Sequence, residues 1–384
     1  MRTPAVMNEE LGRPRGGVPG KAAVRAATAA ALVALMGCGP PPVITGQVLS
    51  AGNQGGQDED PSLLRAADGA LSVAWYSDRN GGGDKELFLS RSADGQAWSD
   101  PVQLTRSDGD SFYPSLAQDP AGTFHLAWWR VIHVNVLGTN NKILAKSSAD
   151  GTTWDLDQET IVAGGPNDFV PSLVHDRVGS RLLVFFASPS RGADGRVDLN
   201  EKTLRIYVSE NAGSGWGSPR RLNGVNDDAT HNTFPFAVQR EDGRFLMVWT
   251  RYDASASNGV LTVLSERSTE TMMSTSANGI DWDAPVLVSS ASGDGAVDTL
   301  PSLYADLTRA SWTALWLTAA KGSSTGSTVE AAIADPIVGA AAARPEITGY
   351  SPRVAPLDGG GRFLGVWVAG ASGRQKIRFD AFTK

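Results

Sequence analysis

Apolar residues recur along the chain as pairs of short runs separated by a turn. In each of six units a proline opens an apolar run, a turn follows, and a second apolar run ends on an aromatic residue. The prolines are Pro61, Pro114, Pro171, Pro235, Pro301 and Pro352, and the aromatic residues are Trp75, Trp128, Phe185, Trp249, Trp316 and Trp367. Their separation is 14 residues in the first four units and 15 in the last two. This spacing, with Gly-rich or Asp-rich turns between the runs, predicts one β-hairpin per unit.

Each unit then continues with two further β-rich runs. The third run reads "KELFLSRS", "NKILAKSS" or "TLRIYVSE", and the fourth is shorter, as in "PVQLT". Four strands in each of six units predict an all-β, six-bladed β-propeller with four antiparallel strands per blade. The repeated aromatic residues are then expected to pack between blades. Because the last unit ends after three strands, residues 43–50, "VITGQVLS", are predicted to supply the missing strand and close the ring.

The third and fourth runs are joined by a turn motif that occurs four times. "SADGQAW" recurs as "SADGTTW" and "SANGIDW", and as "SENAGSGW" with one residue more. Gly can adopt the positive φ of a tight turn, and an Asp or Asn oxygen can accept backbone N–H groups within it. The residues predicted to have this structural role are Ser92, Asp94, Gly95, Trp98, Ser148, Asp150, Gly151, Trp154, Ser209, Asn211, Gly213, Trp216, Ser276, Asn278, Gly279 and Trp282.

This motif resembles the Asp-box, or BNR repeat, of the sialidase superfamily. The resemblance covers the chain from about residue 43 to its end, with degenerate counterparts at "AIADPIVG" and "RFDAFTK". It implies the six-bladed propeller fold. It implies much less about function, because Asp-boxes also occur in sortilin-type receptors, photosystem assembly factors and several polysaccharide-cleaving enzymes.

The loops before the first strand and after the second strand of each unit are long and charged, and we call the side of the ring that carries them the funnel face. A basic residue follows the second strand in all six units, at Arg79, Arg130, Arg191, Arg251, Lys321 and Arg374. Acidic residues crowd the other connections, at Asp58, Asp60, Asp108, Asp110, Asp168, Asp227, Asp228 and Asp298. Such a funnel is suited to an acidic sugar or another glycan. The alternative is that these charges pair with one another across the loops.

Sialidases hold a substrate carboxylate with three Arg side chains and use a Tyr–Glu pair as nucleophile and an Asp as acid/base. The first of these Arg residues is missing from "DPSLL" in the first unit, although Arg353 in "SPRVAPL" opens the sixth. The catalytic candidates are Tyr252 and Asp253 in "TRYD", and Asp110. The ligand-binding candidates are Arg79, Arg130, Arg251, Arg353, Asp108 and Asp228. The four His residues lack metal-ligand spacing, so neither a metal nor another cofactor is predicted.

The N-terminal segment predicts export and lipid anchoring. Residues 1–37 carry basic residues followed by a short apolar run, and "LMGC" resembles a lipobox that ends at Cys38, the only cysteine. Residues 38–42 would form a lipidated tether and residues 43–384 the propeller. Gly39 favours the outer membrane in a Gram-negative organism. The remaining chain has 29 basic and 39 acidic residues, a balance that disfavours nucleic acid as a partner.

Two functions of different classes follow from these features. The first is a membrane-anchored propeller that recognises a glycan or a protein at its funnel face. The second is a sialidase-type glycoside hydrolase that acts on extracellular glycans. Convergence of three Arg side chains in one pocket beside a Tyr–Glu pair would favour the second.

Overall fold

The structure is a computed structural model. It describes residues 47–50, 56–81, 83–133, 139–165, 167–189, 203–227, 229–253, 268–289, 296–306, 311–320, 326–334, 337–339, 341–344, 347, 349–358, 361–370 and 374–383. Cys38, Arg191, Asp228 and Lys321 lie outside these residues, so the predictions made for them rest on sequence. None of the described residues forms a helix that could cross a membrane.

The described residues form six antiparallel sheets, which are the six blades of a propeller. Blade 1 contains β2 (Asp58–Arg65), β3 (Leu71–Ser77), β4 (Glu86–Ser92) and β5 (Val102–Gln103). Blade 2 contains β6 (Gly109–Gln118), β7 (Phe124–His133), β8 (Thr139–Ser148) and β9 (Thr160–Ala163). Blade 3 contains β10 (Phe169–Asp176), β11 (Arg181–Pro189), β12 (Leu204–Asn211) and β13 (Arg220–Arg221).

The remaining blades follow the same plan. Blade 4 contains β14 (Thr230–Gln239), β15 (Phe245–Asp253), β16 (Glu270–Ser276) and β17 (Val286–Leu287). Blade 5 contains β18 (Ala296–Asp306), β19 (Ser311–Ala320), β20 (Gly326–Ala334), β21 (Ile337–Val338) and β22 (Ala342–Ala343), the last two both pairing with β20. Blade 6 contains β23 (Tyr350–Pro356), β24 (Arg362–Ala369), β25 (Lys376–Thr383) and β1 (Gln47–Val48). The predicted fold class is confirmed.

The N-terminal strand closes the ring, as predicted. Gln47 pairs with Phe379 and Val48 with Arg378, so β1 is the outer strand of blade 6. The backbone N–H of Leu49 extends the pairing by donating to the carbonyl of Ile377 over 2.8 Å. The pairing covers part of the long edge of β25, so that the outer edge of blade 6 is the short strand β1.

The repeated aromatic side chains pack between the blades. Five Trp side chains and Phe185, each on the second strand of its blade, are at most 1% exposed. Two indole N–H groups find acceptors on the inner strand: Trp75 donates to Asp58 and Trp249 to Asn232. The predicted packing role of the aromatic residues is confirmed.

Every inner strand carries the same bulge at the repeated proline. The residue before the proline has positive φ in all six blades, between 44° and 53°, and the pairing register shifts there. These residues are Asp60, Tyr113, Val170, Phe234, Leu300 and Ser351. Non-glycine residues rarely adopt this conformation, which costs of the order of 1–3 kcal/mol each. The bulge bends each inner strand and brings six side chains together at the propeller axis.

Serine residues that follow four of these prolines link neighbouring blades, and in blade 5 Ser302 donates to the carbonyl of Pro352 in blade 6. Ser62, Ser115 and Ser172 each accept a hydrogen bond from a backbone N–H on the inner strand of the next blade. Blades 4 and 6 have Phe236 and Arg353 at this place, and the Arg353 guanidinium lies 5.1 Å from the centre of the Phe236 ring. The two blades without the serine thus form a contact of their own at the axis.

Candidate functional site

A cluster of polar and aromatic side chains lies at the axis, towards the funnel face where the inner strands begin. We call it the axial cluster; its members are Glu59, Asp60, Tyr113, Phe234, Tyr350 and Arg353. All except Arg353 are the first or second residue before a repeated proline. The bulges therefore place all of them at one point, although they come from four different blades.

The deeper part of the cluster encloses a small cavity. Asp60, Tyr113, Phe234 and Arg353 line it with the repeated prolines, and its volume is about 40 Å³. This is room for about one water molecule. A larger ligand must therefore lie on the funnel side of the cluster.

The carboxyl group of Glu59 lies among hydroxyl and ammonium groups. The hydroxyls of Tyr76 and Tyr350 and the charge of Lys85 act on it and lower its pKa, but burial, the stronger influence, raises that pKa. The Lys85 ammonium is 4.8 Å from the centre of the Tyr76 ring and 5.3 Å from that of Phe112. A Tyr–Glu pair thus exists at the axis, with a cation beside it.

Burial and mutual charge set the protonation of the cluster. Burial raises the pKa of Asp60 well above its ordinary value, and the charge of Glu59 raises it further, against the opposing effect of Arg353. Burial lowers the pKa of Arg353 to about 10. Burial and the two carboxyl groups raise the pKa values of Tyr113 and Tyr350, so both hydroxyls stay protonated. The cluster therefore offers hydroxyl donors and carboxyl groups that retain protons above their ordinary pKa.

Several buried polar atoms at this end of the inner strands have no partner at hydrogen-bonding geometry among the described residues. They include Glu59 Oε1, Ser111 Oγ, Thr233 Oγ1 and Tyr350 Oη. The Tyr350 hydroxyl is close enough to Glu59 to affect its pKa, but it is not in bonding geometry with Oε1. An unsatisfied buried polar group costs about 1–3 kcal/mol. Ligand or water hydroxyls at this place would remove that cost.

Three of the predicted ligand-binding Arg residues are held in separate ion pairs. Arg79 contacts Asp58 in blade 1, at 3.4 Å. Arg130 donates to Glu159 in blade 2. Arg251 donates to Glu270 in blade 4 through two nitrogens, at 2.6 and 2.8 Å. Only Arg353 among the four candidates belongs to the axial cluster, so these residues form no three-Arg clamp.

The predicted acidic and catalytic candidates are dispersed. Asp110 is buried and accepts the backbone N–H of Lys85 at 2.8 Å, while Asp108 and Asp253 are exposed. Tyr252 is buried and its ring stacks on His231, with the ring centres 4.7 Å apart. None of these four candidates lines the axial cavity.

Three of the other acidic residues expected in the funnel are buried at the start of inner strands. Asp58, Asp168 and Asp298 are at most 2% exposed. Asp58 accepts from the Trp75 indole and contacts Lys376 at 3.2 Å. It therefore supports the packing of its blade. Asp227, by contrast, accepts the backbone N–H groups of Ala229 and Thr230 in a local turn.

The Asp-box turns have the hydrogen bonds expected of structural turns. Asp94 accepts the N–H groups of the second and third residues after it, and Asp150 and Asn278 do the same in blades 2 and 4. In these three boxes the Gly N–H donates to the box Ser hydroxyl. The box glycines Gly95, Gly151, Gly213 and Gly279 have positive φ. Among the described residues, no three His, Cys, Asp or Glu side chains are grouped as metal ligands.

Sequence reasoning missed Glu59, Tyr113, Phe234 and Tyr350. A usable signal was present, because an alignment of the six units on their prolines places these residues in the two columns before it. Those columns hold Glu, Phe, Phe, Thr, Thr and Tyr, and then Asp, Tyr, Val, Phe, Leu and Ser. Glu59 and Asp60 are the acidic residues in these two columns, so a pair of carboxyl groups at the axis could have been predicted from the alignment.

Solved structures share this fold, whereas no protein-family model and no curated protein matches the sequence. The α-L-arabinanase of Penicillium chrysogenum, complexed with arabinobiose, matches with a TM-score of 0.63 at 15% identity, over 85% of this chain and 93% of that one. The GH93 α-L-arabinofuranosidase of Fusarium graminearum, also with arabinobiose, matches with 0.61 at 12% identity, over 88% and 96%. Leech intramolecular trans-sialidase matches with 0.60 at 12% identity, over 89% and 70%.

At these identities the likeness establishes the fold alone. The chain is a six-bladed propeller of the architecture found in sialidases and arabinofuranosidases, and the predicted resemblance to the sialidase superfamily in fold is confirmed.

Proposed function

We propose that the protein is an exported, lipid-anchored propeller that recognises a glycan at the axial cluster. The observation that supports this most is a pair of neighbouring buried polar atoms without partners at hydrogen-bonding geometry, Glu59 Oε1 and Tyr350 Oη. A sugar has several hydroxyl groups that donate and accept, and it would satisfy both atoms. The aromatic rings of Tyr113 and Phe234, 5.9 Å apart between centres, supply apolar surface beside them.

The glycan would lie on the funnel side, above the small cavity. Lys85 and Arg353 flank the carboxyl groups and balance their charge, so the site is suited to neutral sugars and to sugars with one carboxylate. Arabino-oligosaccharides and sialosides are therefore the first probes to use, since the structural neighbours bind such compounds.

Binding to immobilised glycans tests the proposal. The wild type is expected to retain at least one of an arabino-oligosaccharide and a sialoside, and Tyr350→Phe or Glu59→Gln should weaken retention about tenfold or more. Tyr304→Phe is the matched control, because Tyr304 donates to Glu330 at 2.7 Å in another buried Tyr–Glu pair, in blade 5. Equal retention by all four proteins would contradict the proposal. Capture of no glycan by the wild type would point to a protein partner.

Glycoside hydrolysis is the second candidate, and the pair of adjoining carboxyl groups favours it. Asp60, with its raised pKa, lines the cavity that has room for about one water molecule, so it is suited to pass a proton to a leaving group through that water. Glu59 beside Tyr350 is suited to form or assist a nucleophile. The absence of a three-Arg clamp from the described funnel counts against sialic acid as its substrate. Release of a chromophore from aryl arabinofuranosides or sialosides, abolished by Asp60→Asn and retained by Tyr304→Phe, would establish hydrolysis. No turnover above a heat-inactivated sample would leave recognition as the function.

Lipid anchoring rests on the sequence around Cys38. We expect Cys38→Ser to move the protein from the membrane fraction to the soluble fraction of cells. Retention of this variant in washed membranes would contradict anchoring by lipid.

A further inference from the structure

A second cavity lies between blades 2 and 3, beside the Asp-box turn of blade 3. It has a volume of about 290 Å³ and shares no residue with the axial cluster. Its polar and aromatic lining consists of His125, Ser147, Gln158, Glu159, Asn211 and Trp216. Small-molecule sites start at about 300 Å³, so this cavity is suited to one sugar ring rather than to an oligosaccharide.

The cavity lies beside the Asp-box of blade 3, which is one residue longer than the boxes of blades 1, 2 and 4. In blades 2 and 4 the box Trp fills the space next to the preceding blade, and Trp154 and Trp282 are 7% and 6% exposed. The Trp282 ring meets Phe185 of blade 3 edge to face, with 5.7 Å between centres. Trp216 is only half-buried and forms a wall of the cavity instead.

The space around the box glycines also differs between blade 3 and blades 2 and 4. A methyl group on Gly151 would lie 2.7 Å from the Phe124 ring, and one on Gly279 would lie 2.7 Å from Leu183 of the preceding blade. Methyl groups on Gly213 and Gly215 would meet no atom within 4 Å. The long box therefore stands away from its surroundings, whereas the boxes of blades 2 and 4 pack closely.

The charges that line the cavity are already compensated. Glu159 accepts from Arg130, and the His125 ring bonds to Asp119 on one nitrogen and to Ser147 on the other, at 3.2 and 2.8 Å. Lys146, deeper in the same cavity, donates to two backbone carbonyl groups. A charged ligand would find no excess of opposite charge here, so the lining is suited to a neutral polar molecule.

We propose that this cavity is a second carbohydrate site, which binds one neutral hexopyranose ring. The half-exposed Trp216 indole offers a flat apolar surface to the C–H face of the sugar. The amide of Gln158 offers both donors and an acceptor, and Asn211 offers its amide nitrogen as a donor, since its Oδ1 accepts the N–H groups of Gly213 and Gly215. The Ser147 hydroxyl, held by His125, adds a further polar contact. Two sites on opposite faces would let a monomer bind two glycan positions at once.

Titration with methyl glycosides tests this cavity independently of the axial cluster. Methyl glucoside, galactoside, mannoside and N-acetylglucosaminide are the probes, and ligand-observed NMR with tryptophan fluorescence is the readout. The wild type should bind at least one of them, and Trp216→Ala should lose about tenfold or more in affinity through loss of the buried ring contact. Trp98→Ala is the matched control, because Trp98 is the half-buried Trp of another box and does not line the cavity.

Deletion of Ala212 is the sharper variant, since it converts the long box to Ser-Glu-Asn-Gly-Ser-Gly-Trp, the length of the other three. The shortened box should let Trp216 fill the space and should abolish glycoside binding, with thermal stability equal to or above that of the wild type. Tyr350→Phe should leave this binding unchanged, which separates it from the axial cluster. Unchanged affinity in Trp216→Ala or in the Ala212 deletion, or no binding of any probe by the wild type, would overturn the proposal.

Discussion

Closure of the ring by the N-terminal strand should have a measurable energetic effect, and Leu49 is the residue on which to test it. Leu49 is 5% exposed and belongs to the hydrophobic core, whereas its neighbour Val48, at 39%, points outward. Leu49→Ala should reduce the free energy of unfolding by about 2–5 kcal/mol, the usual cost of such a truncation in a core. Val48→Ala should change it by less than about 0.5 kcal/mol.

The size of this effect relative to total stability makes the test sensitive. Natural domains are stable by about 5–15 kcal/mol, so Leu49→Ala would remove a large fraction of that. Chemical denaturation followed by the fluorescence of the 11 Trp residues gives the midpoint for both variants. The backbone bond from Leu49 to Ile377 persists in both, so the comparison isolates side-chain burial. Coincident midpoints for the two variants would refute the reasoning that the closing strand is held by its buried side chain.

Three further predictions concern charges. Asp150→Asn should melt at the temperature of the wild type at neutral pH, because Asn has this position in the boxes of blades 3 and 4, whereas Asp150→Ala should melt at a lower temperature. Backbone N–H groups lower the pKa of Asp150, so the stabilisation that its carboxylate provides should decrease in thermal melts as the pH falls below the ordinary pKa of 3.8. Burial raises the pKa of Glu59, so stability should decline as pH rises from about 4.5 through the raised value, and denaturation of Glu59→Gln should show a shallower decline. Arg251→Ala should cost about 1.5–3 kcal/mol in chemical denaturation, because it leaves the Glu270 carboxylate without its bidentate partner, and Arg374→Ala, at an exposed site, should cost nothing measurable.

The sequence by itself determined the architecture. Strand positions follow from local patterns: the proline, the turn and the aromatic residue of each unit lie within 16 residues of one another. The predicted hairpins and the number of blades are confirmed, because each blade repeats the same order of strands, turn and buried aromatic residue. Ring closure was also predictable, because the sixth unit has three strands and residues 43–50, before the first unit, match the pattern of a fourth strand.

The tertiary structure alone decided which polar residues meet. Asp60 and Ser351 are 291 residues apart, yet their side chains approach to 3.4 Å. The charge pattern of the loops did not predict which side chains meet. Arg79, Arg130 and Arg251 each follow the second strand of their unit, where a ligand-binding residue was expected, but each pairs with a carboxylate of its own blade. Burial against a partner is a property of the folded ring, and no single repeat encodes it.

The same distinction holds for the cavity between blades 2 and 3. The extra residue in "SENAGSGW" is visible in the sequence, but a longer turn can bulge into solvent without opening any space. Only the folded structure shows that Trp216 lines a cavity between blades 2 and 3 and does not fill it. The burial of this side chain depends on the neighbouring blade as well as on the turn that carries it.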